Sequence, residues 1–422
     1  MKLKTELLLS ILLATATGTL GNDWPNWRGP NFNGSVQSGN FPAAWTTNDV
    51  KWKIPLPGKG TSVPIVYKEQ IFITSPSEGQ DAVIAYDFSG KELWRTKLGA
   101  QTAPKHRSLA SSCNSSPVTD GSGIFVYFKS GNFAALDLNG AIRWQTNLVE
   151  RFGRENLFWD TGTSPVVTDQ HVILARMHSG ESWIAGFDKK TGALAWQESR
   201  NFKVPTENDN GYSTPLLFDN AGQKAILIWG ADHLTAHDAS NGKTIWTCGG
   251  FNPNGTGYWP HISTPVIVEN LAIVPVGRDD RGQARVEAIK LGGKGDVSET
   301  HRAWKRTDTG VFVPTPAEYN GRIYLLRNKG EIACLDAASG KTHFTFQLPE
   351  HRSAYYASPV IANGLLYAAR ENGTVFTAKI HEDRLTLLSE NDLGERFVAT
   401  PVPANDRLFL RGDNHLFCVM KN

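Results

Sequence analysis

The chain has 422 residues, of which 40% are hydrophobic, 20% charged and 10% aromatic. This apolar fraction can form a sizeable buried core, so the composition excludes a wholly disordered chain. The 43 Lys and Arg residues nearly balance the 41 Asp and Glu residues without any basic block, which argues against a dedicated nucleic-acid binder.

Residues 1–21 have the pattern of a secretory signal peptide. Lys2 and Lys4 precede an apolar stretch, residues 7–14, that is too short to span a bilayer. Small residues follow, and the two candidate cleavage points are after Ala16 and after Gly21. No other stretch is apolar enough to span a membrane. We therefore expect an exported, soluble protein, either periplasmic or secreted.

A proline-containing step recurs along the rest of the chain at intervals of 42 to 53 residues. It reads Ser/Thr-Pro or Ser/Thr-x-Pro, and an apolar run usually follows it. Its prolines are Pro64, Pro117, Pro165, Pro215, Pro265, Pro316, Pro359 and Pro401. Eight units of this length, with four strands each, are typical of the blades of a β-propeller.

A second pattern comes near the end of most units. It consists of Ala-x-Asp, a short turn, a Gly and an aromatic residue four positions after the Gly, as in Ala85, Asp87, Gly90 and Trp94. The pattern predicts a hairpin in which Asp accepts bonds from turn amides and Gly supplies a positive φ. Because the Trp recurs at a fixed place, we expect it to pack between blades rather than to bind a ligand.

The ends of the chain predict how the ring closes. The last unit stops after the strand expected at residues 415–420, so it lacks an outer strand, and Val50 to Leu56 has the spacing of the missing one. We therefore predict an all-β fold: a single eight-bladed β-propeller over residues 50–422, closed by an N-terminal strand in the last blade. Residues 22–49 are expected to form an arm over its side.

The repeated hairpin units, DWPNWRGP at 23–30 and GGKGDVSETHRAW at 292–304 resemble the PQQ-like (quinoprotein-like) β-propeller repeat proteins, including the exported BamB-like members. The resemblance covers nearly all of the chain after the leader. It implies one of two uses. Quinoprotein alcohol dehydrogenases of this family hold PQQ and calcium at the ring centre under an adjacent cysteine pair, whereas BamB-like proteins are binding scaffolds without chemistry.

The four cysteines, Cys113, Cys248, Cys334 and Cys418, are widely separated and include no adjacent pair. We interpret them as small core residues, because a free cysteine packs like a small hydrophobic side chain. The sequence therefore predicts no PQQ with calcium, no other cofactor and no metal site. It also predicts a monomer.

Loops between blades predict where a ligand would bind. From the outer-strand aromatic to the next proline, the first four units span 19 to 23 residues, whereas three others span 12 to 15. Such loops on a rigid scaffold often carry function. The catalytic candidates are His106, Tyr212, His261 and Arg352. The ligand-binding candidates are Arg107, Asn114, Glu155, Trp159, Asp160, Asn210, Tyr258, Trp259, Tyr355 and Arg396.

These residues indicate three alternative functions, which are given from the most to the least favoured. The first is a binding scaffold whose polar, aromatic pocket at the channel mouth takes a carbohydrate, a small anion or a protein partner. The second is a lyase or hydrolase acting on acidic glycans through the His, Tyr and Arg cluster or through paired carboxylates. The third is a PQQ-dependent dehydrogenase. Alternatively, these residues only fill the channel with a hydrogen-bonded network.

Overall fold

The computed structural model describes residues 23–106 and 109–421. Eight antiparallel sheets form the blades of an eight-bladed β-propeller, which confirms the predicted fold class. The predicted signal peptide lies outside the described residues.

The strands are given for each blade from the channel outward. Blade 1 contains Ile65–Tyr67, Gln70–Ser77, Gln80–Asp87 and Glu92–Ala100. Blade 2 contains Val118–Thr119, Ile124–Tyr127, Asn132–Leu136 and Ile142–Asn147. Blade 3 contains Val166–Val167, His171–Arg176, Trp183–Asp188 and Leu194–Ser199. Blade 4 contains Leu216–Asn220, Gln223–Gly230, His233–Asp238 and Thr244–Cys248.

The remaining blades follow the same order. Blade 5 contains Val266–Val268, Leu271–Arg278, Gln283–Lys290 and Arg302–Arg306. Blade 6 contains Ala317–Tyr319, Arg322–Leu326, Glu331–Asp336 and Thr342–Gln347. Blade 7 contains Val360–Ala362, Leu365–Ala369, Thr374–Ile380 and Leu385–Asp392. Blade 8 contains Val402–Ala404, Arg407–Arg411, His415–Met420 and, outermost, Val50–Pro55.

A few short elements lie outside this scheme. Ser35–Val36 pairs in parallel with the inner strand of blade 7, and Gly295–Asp296 pairs in parallel with the outer strand of blade 4. The α-helix Leu148–Phe152 and the 3-10 helices Thr47–Asp49 and Asp279–Arg281 are the helical segments of the described residues. The motif at 292–304 therefore covers an outer sheet edge that would otherwise be open to pairing.

The repeated hairpin has the predicted turn chemistry. Asp87 Oδ1 accepts hydrogen bonds from the backbone N–H groups of Ser89, at 2.8 Å, and Lys91, at 3.0 Å. Gly90 has a φ of +85°, which a residue with a side chain adopts only at a cost. The sequence pattern thus predicted a turn that is stabilised by contacts within the hairpin itself.

The recurring tryptophans connect neighbouring blades, as expected. Trp94 Nε1 donates to the carbonyl oxygen of Leu138 at 3.0 Å, and Trp144 Nε1 donates to that of Lys189 at 2.9 Å. A Cβ atom on Gly140 would lie 2.6 Å from the Trp94 ring, so the glycine also makes room for the indole. The four cysteines are free and buried, which confirms their interpretation as core residues.

The ring closes where the sequence predicted. Val50–Pro55 pairs antiparallel with His415–Met420, and Trp52 lies opposite Cys418. Trp52 Nε1 donates to the carbonyl oxygen of Phe88 in blade 1 at 2.9 Å, so it makes the same interblade contact as the other tryptophans.

The N-terminal arm does not simply lie over the side. Its first part crosses the channel at the ends of the inner strands: Trp24 bonds with Val66, Thr119 N–H donates to Pro25 and Glu318 N–H donates to Asn33. The reason is Arg28, a residue that the sequence did not identify as important. Its guanidinium donates to the carbonyl oxygens of Pro316, at 2.7 Å, and Pro359, at 3.0 Å.

The second part of the arm packs on blade 7. Trp45 Nε1 donates to Thr377 Oγ1 at 3.0 Å, and the Tyr367 hydroxyl donates to the carbonyl oxygen of Pro42 at 2.5 Å. Phe41 and Trp45 belong to the largest hydrophobic cluster of the described residues. The arm therefore closes one end of the channel and then leads the chain to its place as the outer strand of blade 8.

Candidate functional site

The channel is surrounded by a ring of hydroxyl groups that explains the recurrent Ser/Thr-Pro step. Each hydroxyl oxygen accepts a hydrogen bond from the backbone N–H of the equivalent residue one blade earlier, at 2.9 to 3.2 Å. We call these residues the hydroxyl ring: Ser116, Ser164, Thr214, Thr264, Thr315, Ser358 and Thr400. The equivalent position of blade 1 is Val63, which cannot accept such a bond.

The ring lines a cavity of about 160 Å³ that opens toward the interblade loops. We call this side of the molecule the loop face. The residues two positions before the ring form a second layer around the cavity, and the indole of Trp27, on the arm, also lines it. Of the predicted residues, Asn114 and Tyr212 are in this second layer, so the loops do bring some of them to the axis.

The polar groups of Asn114 and Tyr212 are hydrogen-bonded within the protein. Asn114 Oδ1 accepts from Thr61 Oγ1 at 2.6 Å, and its Nδ2 donates to the carbonyl oxygen of Thr161 at 3.1 Å. The Tyr212 hydroxyl oxygen accepts from the backbone N–H of Trp159 at 2.9 Å. Burial raises the pKa of the Tyr212 hydroxyl, so it stays protonated at neutral pH.

Predicted residues also link consecutive loops. Asn210 Oδ1 accepts from the backbone N–H of Phe158 at 2.8 Å, and the His261 backbone N–H donates to the Asn210 carbonyl oxygen at 3.0 Å. The His106 ring lies 4.2 Å from the Trp159 ring, and its Nε2 is 3.0 Å from the Phe158 carbonyl oxygen. Arg107 lies outside the described residues. These contacts join the four long loops that connect blades 1 to 5 into one hydrogen-bonded assembly.

A second cavity, of about 300 Å³, lies between the loops that flank blade 2. Glu155, Trp159 and Asp160 line it, together with Lys105 and Lys129, which are not among the predicted site residues. Neither lysine belongs to a recognisable sequence motif, since one lies in a loop and the other in a hairpin turn.

Both carboxylates in this cavity have cationic partners. Glu155 Oε1 accepts from the Tyr127 hydroxyl at 2.8 Å and from Arg176 Nε at 2.9 Å. Asp160 pairs with the Lys129 ammonium and accepts the Lys105 backbone N–H at 2.8 Å. Both carboxylates therefore serve as hydrogen-bond acceptors that hold the walls of this cavity together.

His261 is buried beside a carboxylate outside both cavities. Its Nε2 lies 3.2 Å from Asp232 Oδ1, and its ring packs edge-on against Trp229. Although burial alone would raise the pKa of Asp232, hydrogen bonds from His261, Asn208 and Asn252 lower it, so this carboxyl is ionised in the fold. The pair could orient a proton, but it faces neither cavity.

The remaining predicted residues lie apart. Tyr258 is 53% exposed on the loop face, whereas its neighbour Trp259 is buried and donates from Nε1 to Gln283 Oε1 at 2.9 Å. Tyr355 is buried in the core between blades 6 and 7, and Arg352 is exposed. Arg396 bonds Asp413 at 2.9 Å and Glu371 at 3.4 Å.

Neither cavity is lined by more than one of the four catalytic candidates. Within residues 23–106 and 109–421, no group of three His, Cys, Asp or Glu residues could hold a metal ion. In the same residues, no helix is both long and apolar enough to cross a membrane.

Asp81, beside the second cavity, allows a test of stability against pH. Burial raises its pKa to about 6, although Ser130 and Asn132 both donate to its carboxylate. The folded state thus favours the protonated form. This preference adds to the free energy of unfolding in full below about pH 4, and the added stability is lost as the pH rises through about 6. We expect Asp81→Asn to raise the free energy of unfolding at pH 8 by roughly 2–3 kcal/mol relative to the natural chain.

The measurement is the urea midpoint of both proteins from pH 4 to pH 8. The gain from Asp81→Asn should fade toward pH 4, where the natural carboxyl is also neutral. A gain that is the same at every pH would show that Asp81 is not protonated preferentially in the fold.

Known proteins resemble this chain along most of its length. A family model described as outer membrane protein assembly factor BamB matches residues 39–247 and 232–386. The outer membrane protein assembly factor BamB of Moranella endobia (strain PCIT) is 22% identical over 333 residues, which cover 77% of this chain and 76% of that protein.

Solved structures also share the fold, and two of them illustrate the range. BamB from Moraxella catarrhalis aligns with a TM-score of 0.61 and 16% identity, covering 87% of this chain and 98% of that one. A europium-containing methanol dehydrogenase aligns with a TM-score of 0.69 and 11% identity, covering 94% and 89%. At these identities the likeness establishes the propeller fold alone.

Proposed function

This chain belongs to the family of the outer membrane protein assembly factor BamB, and from that premise we propose that it is an exported scaffold that binds a protein partner through its loop face. The observation that carries the proposal is the family match over most of the propeller, combined with long loops that hydrogen bonds join to one another. A rigid, preorganised surface of this kind suits binding, because little order is lost when a partner docks.

Two exposed aromatic rings support the loop face as the docking surface. Phe158 is 54% and Tyr258 53% exposed, and both lie on long loops. Tyr258 also has a φ of +62°, a strained conformation for a bulky residue. Its backbone is held there by bonds with Thr206, at 2.8 Å, and Arg278, at 3.3 Å. The fold thus holds this ring toward solvent at some cost, as is usual for a recognition residue.

The partner that we propose is a component of outer-membrane protein assembly, the role that gives the relatives their name. The test places a photo-reactive phenylalanine at Phe158 or Tyr258 of the full chain, expressed in its own cells. Leu93 and Ile142, 42% and 44% exposed on outer strands, are the matched control positions.

We expect a discrete adduct from positions 158 and 258, identified by mass spectrometry as an assembly component, and none from positions 93 and 142. Equal labelling at all four positions, or no adduct at any, would contradict docking at the loop face. A specific adduct with an unrelated protein would support a binding scaffold, but it would contradict a role in outer-membrane protein assembly.

An enzyme acting on acidic glycans is the lower-ranked function. It would need His106, Tyr212, His261 and Arg352 to reach one substrate, and their placement offers no common cavity. Turnover of acidic polysaccharides that is lost in Arg352→Ala would reverse this ranking. The absence of PQQ with calcium stays a prediction, which a visible spectrum of the purified protein tests.

A further inference from the structure

Several hydrogen-bond donors lie close together at the floor of the channel. Every oxygen of the hydroxyl ring already accepts a backbone N–H, so each hydroxyl keeps its own proton to donate. Beneath the ring, the buried Nε1 of Trp27 has no hydrogen-bond partner among the described residues. A buried N–H of this kind needs an acceptor, because a buried polar group without a hydrogen bond loses its hydration without compensation.

A buried cation lies next to these donors. Arg28 is fully buried, and its guanidinium carbon is 5.6 Å from the centre of the Trp27 ring. It donates to the carbonyl oxygens of Pro316 and Pro359, each of which directly follows a member of the hydroxyl ring. In the described part of the chain no carboxylate pairs with Arg28, and burial lowers its pKa to about 9.

An unpaired buried cation is costly, and a nearby anion would offset that cost. An anion in this cavity would meet neutral hydrogen-bond donors on the walls. The positive charge of Arg28 would lie behind the floor. Phosphate and carboxylate oxygens are strong acceptors that suit this arrangement. The cavity of about 160 Å³ is also small. At about 30 Å³ for each water molecule, it has room for roughly five waters, or for a small anion with one or two of them.

We propose that the floor of the channel is a binding site for a small oxyanion, either a carboxylate, a phosphate or a sulfate. The DWPNWRGP segment would then have two tasks, because the same arm that seals the channel supplies the indole N–H and the positive charge. This inference goes beyond the proposed scaffold function and does not depend on it.

The test uses the purified full chain and titration calorimetry at constant ionic strength. Sodium acetate, phosphate and sulfate are the probes, and sodium chloride is the reference. We expect saturable one-site binding of at least one oxyanion and a matching rise in the melting temperature. Comparing acetate with phosphate and sulfate distinguishes a carboxylate source from a free inorganic anion.

Two variants test the donors. Trp27→Phe keeps the ring and removes the N–H, and it should weaken binding about tenfold or more. Val63→Thr adds the missing hydroxyl of blade 1 and should strengthen binding severalfold. Trp144→Phe, a change of the same type at the contact between blades 2 and 3, is the control and should leave the affinity unchanged.

No saturable binding of any of the three oxyanions would overturn the proposal. Equal affinities for the natural chain, Trp27→Phe and Val63→Thr would also overturn it, because the anion would then bind elsewhere. Far-ultraviolet circular dichroism shows that each variant is folded. Labelling of a partner at Phe158 is measured separately, so the failure of one proposal leaves the other intact.

Discussion

Asp160→Ala is expected to lower the free energy of unfolding by about 3–5 kcal/mol, among the largest effects of any single substitution outside the core. The carboxylate is buried and pairs with the Lys129 ammonium, which is itself largely buried. Removing the anion leaves that charge with the carbonyl oxygen of Ala103, at 2.7 Å, as its remaining partner. The loss arises chiefly from the desolvated cation, since the pair as a whole contributes little.

The matched control is Asp169→Ala. Asp169 pairs with Lys224 at 3.8 Å, but both side chains are exposed, so we expect a change within about 0.5 kcal/mol. Urea unfolding followed by tryptophan fluorescence measures both variants. If the two midpoints moved by similar amounts, the pair of Asp160 and Lys129 would be solvated in solution and the second cavity would be open to water.

Trp52→Ala is expected to destabilise the protein by about 3–5 kcal/mol. The indole fills the space beside Gly90 of blade 1, and its N–H bonds the carbonyl oxygen of Phe88. It also lies on the strand that joins the two ends of the chain. Because only pairing and packing hold this strand to His415–Met420, losing the indole should loosen the closure of the ring.

Trp94→Ala is the control, because Trp94 makes the equivalent bond between blades 1 and 2. Both variants lose similar packing, but we expect trypsin to cut after Lys51 or Lys53 in Trp52→Ala alone. Denaturation and limited proteolysis with mass spectrometry give the two readouts. Cleavage at neither lysine, with equal losses of stability in both variants, would show that the closing strand does not depend on Trp52.

The loop residues show why a site is harder to predict than a fold. Spacing along the chain placed Tyr258 and Trp259 in one loop and treated them alike. In the structure the first is exposed and the second is buried against Gln283. Tyr355 and Tyr356 differ in the same way, because Tyr356 lines the channel and Tyr355 lies in the core. Neighbouring side chains point in different directions, and a single sequence does not say which one faces the axis.

Local chemistry made the architecture predictable from the sequence alone. The Ser/Thr-Pro step, the Asp and Gly of each hairpin and the recurring Trp act within one blade or between neighbours, so their repetition revealed eight blades and the closing strand. Lone contacts had no such repetition. Arg28 bonds residues 288 and 331 positions away, and Asp160 meets Lys129 from another loop. Only the closed ring brings these groups together, because their pairing depends on the positions of whole blades. The channel floor and the second cavity were therefore decided by the tertiary structure alone.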